Sequence, residues 1–309
     1  MAVKDIKVGV LGGGVSPERE ISFISAGEVV KSLERNGVAV VFIDIFTSQK
    51  EKVKELICQH NIDVAFIALH GEFGEDGQIQ QILEELELPY TGSGPQASSL
   101  AANKVSSKEI FLREGIATAA YYLWQDVPAD IKYPLVVKPC CGGSSLGVSV
   151  VRDQRQLQEA LKSASSLQTK IFLEEYIEGR EFTVGILDNK PLGVVEIVPK
   201  EGFFDFNSKY REGAVQLKTD PQLKRSLYEK IQAQGLAAHC VLGCRHSSRV
   251  DLVLDALGNP FVLEVNSIPG LTSHSLLPLS AKCCGIGFDE LVLKMVRLGL
   301  NEKIQAKKI

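Results

Sequence analysis

The sequence predicts a mixed fold, with an α/β domain followed by two α+β domains. In the first hundred residues short apolar segments alternate with helical patterns, which is typical of a parallel sheet flanked by helices. After about residue 103 the pattern changes to hairpin-like strand pairs separated by helices. The 309 residues are enough for several hydrophobic cores. We therefore predict three domains, over residues 1–102, 103–185 and 186–309.

The first predicted strand, KVGVLGG, leads through a glycine run into a helix. Ser16 is a suitable N-cap, Pro17 suits the first helical position, and Glu18 complements the helix dipole. Gly37 is expected to end this helix. The glycines do not form a dinucleotide-binding fingerprint, because Pro17 stands where the third glycine is required. A tight turn and an anion-binding site are equally good interpretations of this segment.

The segment ALHGEFGEDGQ places His70 at the end of a predicted buried strand, before three glycines. Glycine is costly to order, so this connection indicates a special backbone path. Two interpretations remain open for His70. It is either a satisfied core histidine or a polar contact in a cleft at the carboxyl end of the sheet.

A glycine-rich loop, PCCGGSSLG, follows an apolar strand that contains Lys138. Its glycines allow consecutive backbone N–H groups to point inward, as in phosphate-binding nests, and Ser144 and Ser145 add hydroxyl donors. It is not a Walker motif, because the lysine precedes the glycines. Cys140 and Cys141 are adjacent and lack a Cys-x-x-Cys partner, which argues against a metal site. We predict a phosphate-binding loop.

The acidic segment EEYIEGRE follows the apolar residues KIFL. A nucleotide base and ribose need backbone polar groups and an acceptor carboxylate. Glu174, Ile177 and Glu181 could supply them, although a charge run of this kind is more often a solvated face.

The last predicted hairpin, RVDLVLD and PFVLEVN, gives the strongest physical signal. If its turn pairs Leu254 with Phe261, Asp251 lies directly opposite Glu264, with Cβ atoms roughly 5 Å apart. Asn266 shares the face of Glu264, because side chains alternate along a strand. Two facing carboxylates are destabilising unless a cation lies between them. An all-oxygen set of this kind suits Mg²⁺ whose shell is completed by nucleotide phosphates.

Composition excludes some functional classes. The net charge of −4 gives no concentrated basic surface for a nucleic acid or an anionic membrane. The seven cysteines include two adjacent pairs, which is a poor disulfide framework and suits a reducing cytoplasm. We expect no signal peptide and no membrane span. A zinc site in HCVLGCRH is disfavoured, because its cysteines fit a small apolar helix face.

The motifs as a set resemble one family. GGGVSPEREIS, LHGEFGEDG, ANKVSSK, EEYIEGREFTVGIL, SRVDLVLD and LEVNSIPGLTSHSLLP occur in the order and spacing of D-alanine–D-alanine ligases of the ATP-grasp superfamily. The resemblance covers nearly the whole chain. It implies that two α+β domains grip ATP while the N-terminal α/β domain contributes to the amino-acid site.

The resemblance also implies roles for residues at the nucleotide. Two lysines would contact phosphates or purine, two serines would close over the phosphates, three residues would hold adenine and ribose, and a third lysine would also belong to the nucleotide site. The residues implied in nucleotide binding are Lys104, Lys138, Ser144, Ser145, Glu174, Ile177, Glu181 and Lys209. Asp251, Glu264 and Asn266 would bind two Mg²⁺ ions, with Mn²⁺ as an alternative, as the hairpin pattern predicts separately.

A further set is implied at the substrates. Glu18 would receive the first D-alanine's ammonium with His70 nearby, and Arg249 with the N–H of Gly270 would stabilise the oxyanion. Ser275 and Leu276 would bind the second D-alanine's carboxylate. Tyr210, in a lid around FFDFNSKYREG, would be linked to Ser144 and Glu18, as in dipeptide-forming members.

The implied reaction joins two D-alanines through an acyl phosphate, for peptidoglycan precursor synthesis in the cytoplasm. Family members are commonly dimeric, so a homodimer is expected. The alternatives are a D-alanine–D-lactate ligase or another carboxylate–amine ligase of the superfamily. A non-catalytic nucleotide-binding protein is disfavoured, because it has no need of a complete acidic trio.

Overall fold

The computed structural model describes residues 6–128, 130–143, 147–164, 169–199 and 215–306. The strands of these residues form three sheets, of three, five and four strands. The three-stranded sheet is parallel and the other two are antiparallel. This confirms the predicted mixture of an α/β part with α+β parts.

The N-terminal sheet has the order β2-β1-β3. Its elements are β1 (Lys7–Gly13), α1 (Arg19–Arg35), β2 (Ala39–Ile45), α2 (Lys50–Cys58) and β3 (Val64–Ile67), followed by α3 (Gln78–Glu85) and α4 (Pro95–Ala102). Helix α1 begins two residues later than predicted. The Ser16 hydroxyl accepts a hydrogen bond from the N–H of Glu18 and closes a turn ahead of the helix. Gly37 adopts a φ of 69° just beyond α1, as predicted for a helix end.

The four-stranded sheet has the order β4-β7-β5-β6. It follows α5 (Lys104–Arg113) and contains β4 (Tyr121–Leu123), β5 (Leu135–Pro139), β6 (Ser149–Val151), α6 (Gln154–Ala164) and β7 (Ile171–Glu175). Asn103 caps α5, because its carboxamide oxygen accepts from the N–H groups of Val105 and Ser106. This cap fixes the start of the helix at Lys104.

The five-stranded sheet has the order β10-β9-β8-β11-β12. Its region contains β8 (Gly179–Leu187), β9 (Lys190–Pro199), β10 (Val215–Lys218), α7 (Arg225–Val241), β11 (Ser247–Asp255), β12 (Pro260–Asn266), α8 (Leu276–Lys282) and α9 (Phe288–Ala306). Helix α7 covers one face, where Ile231 and Ala238 pack with Val250 and Leu252. The opposite face carries Asp251.

The β11–β12 hairpin differs from the predicted register in one respect. Leu254 pairs with Pro260, so the predicted pairing of Leu254 with Phe261 is wrong by one residue. The register shifts between Asp251 and Leu252, and this irregularity brings Asp251 opposite Glu264 after all. The predicted pairing of the two carboxylates is therefore confirmed, through a bulge that the sequence pattern did not indicate.

The packing of the chain crosses the predicted domain boundaries at two places. The boundary between residues 185 and 186 falls inside β8, which lies as one strand in the five-stranded sheet. Residues of α9, including Leu291 and Met295, share a hydrophobic core with Val8 and Val10 of β1. The last helix thus packs on the N-terminal sheet.

None of the helices in the described part of the chain has the length and hydropathy of a transmembrane span.

Candidate active site

A cleft lies between the four-stranded and five-stranded sheets. It encloses about 860 Å³ of space between the protein atoms, which includes open solvent at its mouth. One wall comes from β5, β7 and the segment after β7, and the other from β8, β11 and β12. Its walls include the predicted residues Lys104, Lys138, Glu174, Ile177, Glu181, Asp251 and Glu264. The structure thus brings together residues that lie as far apart in the chain as positions 104 and 264.

Glu174 forms a buried charge cluster with two lysines at one end of the cleft. Lys138, on the neighbouring strand, contacts one carboxylate oxygen, and Nζ of Lys108 lies 2.9 Å from the other. Burial favours the neutral acid, but the two lysines outweigh it and lower the pKa of Glu174. Lys108 was not predicted as a site residue. The sequence feature that could have indicated it is its position four residues after Lys104, which places both lysines on one face of α5.

Asp251 accepts hydrogen bonds from Arg249 and Thr183 at the other end of the cleft. Two nitrogen atoms of Arg249 donate to its two oxygens at 2.9 and 2.8 Å, and the Thr183 hydroxyl donates at 2.6 Å. Burial opposes the charge of Arg249, but Asp251 outweighs it and raises the pKa of the guanidinium. Thr183 was also missed by the sequence analysis, since it lies on β8 and meets Asp251 only through strand pairing.

Glu264 and Asn266 complete the acidic trio. Nζ of Lys104 lies 3.1 Å from a Glu264 oxygen, and the Asn266 amide donates to Asp251 at 3.3 Å. The described residues contain no cluster of three or more His, Cys, Asp or Glu side chains arranged for a metal ion. The trio has only two carboxylates and one amide, all with oxygen donors. That set fits Mg²⁺ when other oxygens come from a bound phosphate chain.

A second cleft adjoins the first on the side of the N-terminal domain. Its walls include Glu18, Glu75 and Asn266. The two clefts share the wall residues Lys104, Pro139, Gly142, Gly143 and Glu264. Nζ of Lys104 donates to the carbonyl of Gly142 at 2.7 Å, which holds the start of the glycine-rich loop at this junction.

The junction also brings Glu18 against two glycines. A Cβ on Gly71 would lie 2.8 Å from a Glu18 carboxylate oxygen, and one on Gly143 would lie 3.1 Å from it. Glu18 therefore lies where the N-terminal domain meets the glycine-rich loop. Glycine is needed at residue 71 for this reason and because its φ is 74°.

His70 is buried beside the second cleft rather than in its wall. Its Nε2 lies 2.9 Å from the Ser25 hydroxyl, and its Nδ1 lies 3.4 Å from a Glu75 oxygen. Ser25 also accepts from the N–H of Leu271 at 3.4 Å. His70 is thus both a satisfied buried histidine and a link from α1 to the loop before α8. Glu75 is a polar wall residue that the sequence analysis missed.

Four other predicted residues lie outside the walls of both clefts. Arg249 is behind Asp251, while Gly270, Ser275 and Leu276 belong to the loop and first turn before and in α8. The Ser275 hydroxyl accepts from the N–H of Thr272 at 3.1 Å and orders this turn. Ser144, Ser145, Lys209 and Tyr210 lie outside the described residues.

The cysteine-rich segments carry no metal site in the described residues. All seven cysteines are free thiols. Burial raises the pKa of Cys140 and Cys244 to about 11 in each case, so both are protonated at neutral pH.

The fold and site together define a class of protein. An α/β domain precedes two antiparallel sheets, whose cleft has lysines on one wall and paired carboxylates on the other. This is the arrangement of an ATP-grasp ligase.

Comparisons with known proteins identify the family. The family described as D-ala D-ala ligase C-terminus matches residues 101–297, and D-ala D-ala ligase N-terminus matches residues 46–93. The chain is 42% identical over 301 residues to the D-alanine–D-alanine ligase of Geobacter sulfurreducens, covering 95% of this chain and 94% of the relative. It is 43% identical over 298 residues to that of Citrifermentans bemidjiense, covering 96% of each chain.

Solved structures agree with this similarity. The D-alanine–D-alanine ligase of Bacillus anthracis complexed with ATP has a TM-score of 0.84 and 32% sequence identity, covering 97% of this chain and 99% of its own. This chain belongs to the D-alanine–D-alanine ligase family. The predictions of the ATP-grasp fold, the family and an enzyme of the ligase class are therefore confirmed.

Proposed function

We propose that this protein joins two D-alanines into D-alanyl-D-alanine at the expense of ATP, in the synthesis of peptidoglycan precursors. Family membership supports the overall reaction. The observation that carries the assignment to specific residues is the shared wall of the two clefts, at Lys104, Glu264 and the Gly142–Gly143 turn. A nucleotide in the first cleft would meet an amino acid in the second at this wall.

The first cleft suits the nucleotide. Lys138 and Lys104 bind phosphates, Glu174 and the backbone near Ile177 hold adenine, and Glu181 accepts from the ribose hydroxyls. The support is that all five line one cleft between the two antiparallel sheets. Ser144, Ser145 and Lys209 complete the phosphate site by resemblance to the family.

Asp251, Glu264 and Asn266 hold Mg²⁺, with two ions in total and Mn²⁺ as an alternative. A metal ion held by these residues would offset the negative charge of the phosphate oxygens. The opposing placement of Asp251 and Glu264 supports this assignment. Without a metal ion, Arg249 balances the charge of Asp251 and Lys104 balances that of Glu264.

The second cleft suits the amino acids. Glu18 receives the ammonium of the first D-alanine, with His70 fixed behind it. Arg249 and the N–H of Gly270 stabilise the oxyanion, while Ser275 and Leu276 bind the carboxylate of the second D-alanine. Tyr210 acts from the lid with Ser144. The support is that Glu18 lines the second cleft and that Ser25 joins His70 to the loop before α8.

The reaction proceeds in two displacements. A carboxylate oxygen of the first D-alanine attacks the γ-phosphorus, and the bond from that phosphorus to ADP breaks. The amine of the second D-alanine then attacks the acyl carbon, loses a proton, and the carbon–oxygen bond to phosphate breaks. Positioning by the two clefts supplies much of the acceleration.

The protein works in the cytoplasm, where ATP and reduced cysteines are found, and as a homodimer. Exposed apolar side chains near β2, which is an edge strand among the described residues, support a dimer contact there, because Ile24, Phe42 and Phe46 are 55%, 38% and 60% exposed. Sedimentation at micromolar concentration measures the assembly, and a monomer of 33.7 kDa would contradict it.

One assay tests the function. The protein is incubated with ATP, Mg²⁺ and D-alanine, and phosphate release and dipeptide are followed by mass spectrometry. We expect D-alanine-dependent phosphate release equal to dipeptide formed, and none with L-alanine. An added arm with D-lactate tests for the depsipeptide. Absence of D-alanine-dependent turnover would refute the proposal.

A further inference from the structure

Helix α5 carries two lysines, Lys104 and Lys108, one turn apart on the same face. Each reaches a carboxylate on a different sheet. Lys104 pairs with Glu264 of β12 in the five-stranded sheet, and Lys108 pairs with Glu174 of β7 in the four-stranded sheet. The helix therefore connects both walls of the first cleft. Lys104 belongs to those walls, whereas Lys108 does not line the cleft.

Lys108 is one of the most buried charged groups in the described chain, since its side chain is 1% exposed. Besides Glu174, its ammonium donates to the Thr118 hydroxyl at 2.7 Å and to the Ala119 carbonyl at 3.1 Å. Together with the ion-paired Glu174 oxygen at 2.9 Å, its ammonium group thus has three oxygen neighbours. Thr118 in turn donates to the Val262 carbonyl of β12 at 2.7 Å. This network fixes the ammonium group between the two sheets.

Lys138 has a different position in the same cluster. It contacts Glu174 from β5, and it also lines the cleft where the proposed function requires it to bind phosphate. Phosphate and Glu174 therefore compete for one ammonium group. A nearly fully buried carboxylate that loses its only cation is strongly destabilised. With a second cation held in place by other partners, Glu174 keeps a counter-charge when Lys138 turns to the phosphates.

We propose that Lys108 is a positioning residue for nucleotide binding, which acts by holding Glu174 ionised and in place while Lys138 exchanges this carboxylate for a phosphate group. Lys108 touches neither nucleotide nor metal in this account. The proposal rests on the proposed function, because it needs a nucleotide in the first cleft. Burial lowers the pKa of Lys108 and the attraction of Glu174 offsets only part of this, so the ammonium depends on its carboxylate partner as well.

The test uses a double-mutant cycle of Lys108→Met, Glu174→Gln and the combined variant. Glutamine keeps an acceptor oxygen for the base but does not compete as an anion for Lys138. The affinity for a non-hydrolysable ATP analogue with Mg²⁺ is measured by calorimetry, and KM and kcat are measured in the ligation assay. Lys132→Met, an exposed lysine before β5, is the matched control.

We expect Lys108→Met to weaken analogue binding about tenfold or more and to raise KM for ATP similarly, with little change in KM for D-alanine or in kcat. In the Glu174→Gln background the same change should cost no more than about twofold, because the anion it serves is gone. An equal loss in both backgrounds would mean that Lys108 acts through packing alone and would overturn the proposal.

The combined variant keeps the proposal testable if Lys108→Met does not fold. With Glu174→Gln also present, no carboxylate is buried there without a cation. The combined variant should then bind the analogue about as well as Glu174→Gln alone, and a much weaker affinity would overturn the proposal. Failure of the unchanged protein to bind the analogue would refute the proposed function as well. Normal binding by the unchanged protein and by Lys108→Met alike would refute only the role of Lys108.

Discussion

The two sheets that enclose the cleft both bury a carboxylate, but they compensate its charge differently. Asp251 is held by Arg249 and Thr183, and all three residues belong to the five-stranded sheet. Glu174 is held by Lys138 from its own sheet and by Lys108 from helix α5. The first arrangement is fixed by strand pairing. The second depends on a helix that connects two sheets, so it can lose one cation to a ligand and keep the other.

The largest effect is expected from neutralising Asp251. Asp251→Asn removes one carboxylate from the proposed metal site and leaves the buried Arg249 without its bidentate partner. We expect the ligation rate to fall about 10³-fold or more, since charge stabilisation by the metal is lost. Steady-state turnover at saturating Mg²⁺ measures this effect.

The exposed Glu229→Gln serves as its control. Thermal unfolding of both variants checks that the fold persists. If Asp251→Asn retained the turnover of the unchanged protein, Asp251 would have no part in a metal site, and the contrast between the two carboxylates would disappear.

A smaller effect is expected when the partner of Asp251 is changed instead. Thr183→Val keeps the shape of the side chain but removes the hydroxyl that donates to Asp251 at 2.6 Å. Groups that orient a metal ligand typically contribute about 10–100-fold to metal affinity. We expect the Mg²⁺ concentration for half-maximal activity to rise about tenfold, with a smaller change in the maximal rate.

Activity titrated against free Mg²⁺ measures this prediction, with Thr219→Val on the exposed surface as the control. An unchanged Mg²⁺ dependence in Thr183→Val would show that strand pairing alone orients Asp251.

The smallest effect concerns a buried group that has no counter-charge among its described partners. His239 on α7 contacts the Ser248 hydroxyl and the Asn189 carboxamide, and burial lowers its pKa to about 4. The unfolded chain, with an ordinary histidine pKa near 6.5, binds the proton first as pH falls. Stability is therefore full above pH 6.5 and is lost toward pH 4, by about 2 kcal/mol between pH 7.5 and 5.

Urea unfolding at these two pH values measures the loss. His239→Gln should flatten this part of the pH dependence, whereas His274→Gln at an exposed histidine should leave it intact. Equal slopes in the two variants would show that His239 does not carry the effect.

The comparison of the two carboxylates also explains how far the sequence could predict the site. The meeting of Asp251 and Glu264 follows from the two-residue period of strands, which acts locally. The assumed turn pairing was wrong by one residue, and a bulge restored the outcome. The alternation of side chains along a strand does not predict a bulge, because a bulge depends on how β12 packs on its neighbours.

The Glu174 cluster was beyond such patterns. Lys108 meets Glu174 across 65 intervening residues, which include three strands and a helix, and nothing in its local sequence indicates that partner. Likewise, the packing of α9 against β1 joins the two ends of the chain and could not be predicted from either end alone. The periodicity of the sequence predicted the helices and strands and the pairing of Asp251 with Glu264. Long-range packing determined the contacts of Glu174.

The central claim is that ATP activates the first D-alanine by phosphorylating its carboxylate where the two clefts meet. Ligation with D-alanine labelled with ¹⁸O in both carboxylate oxygens tests this claim most directly. The account predicts that the released phosphate carries one labelled oxygen for each dipeptide formed. Dipeptide formed with unlabelled phosphate would contradict it.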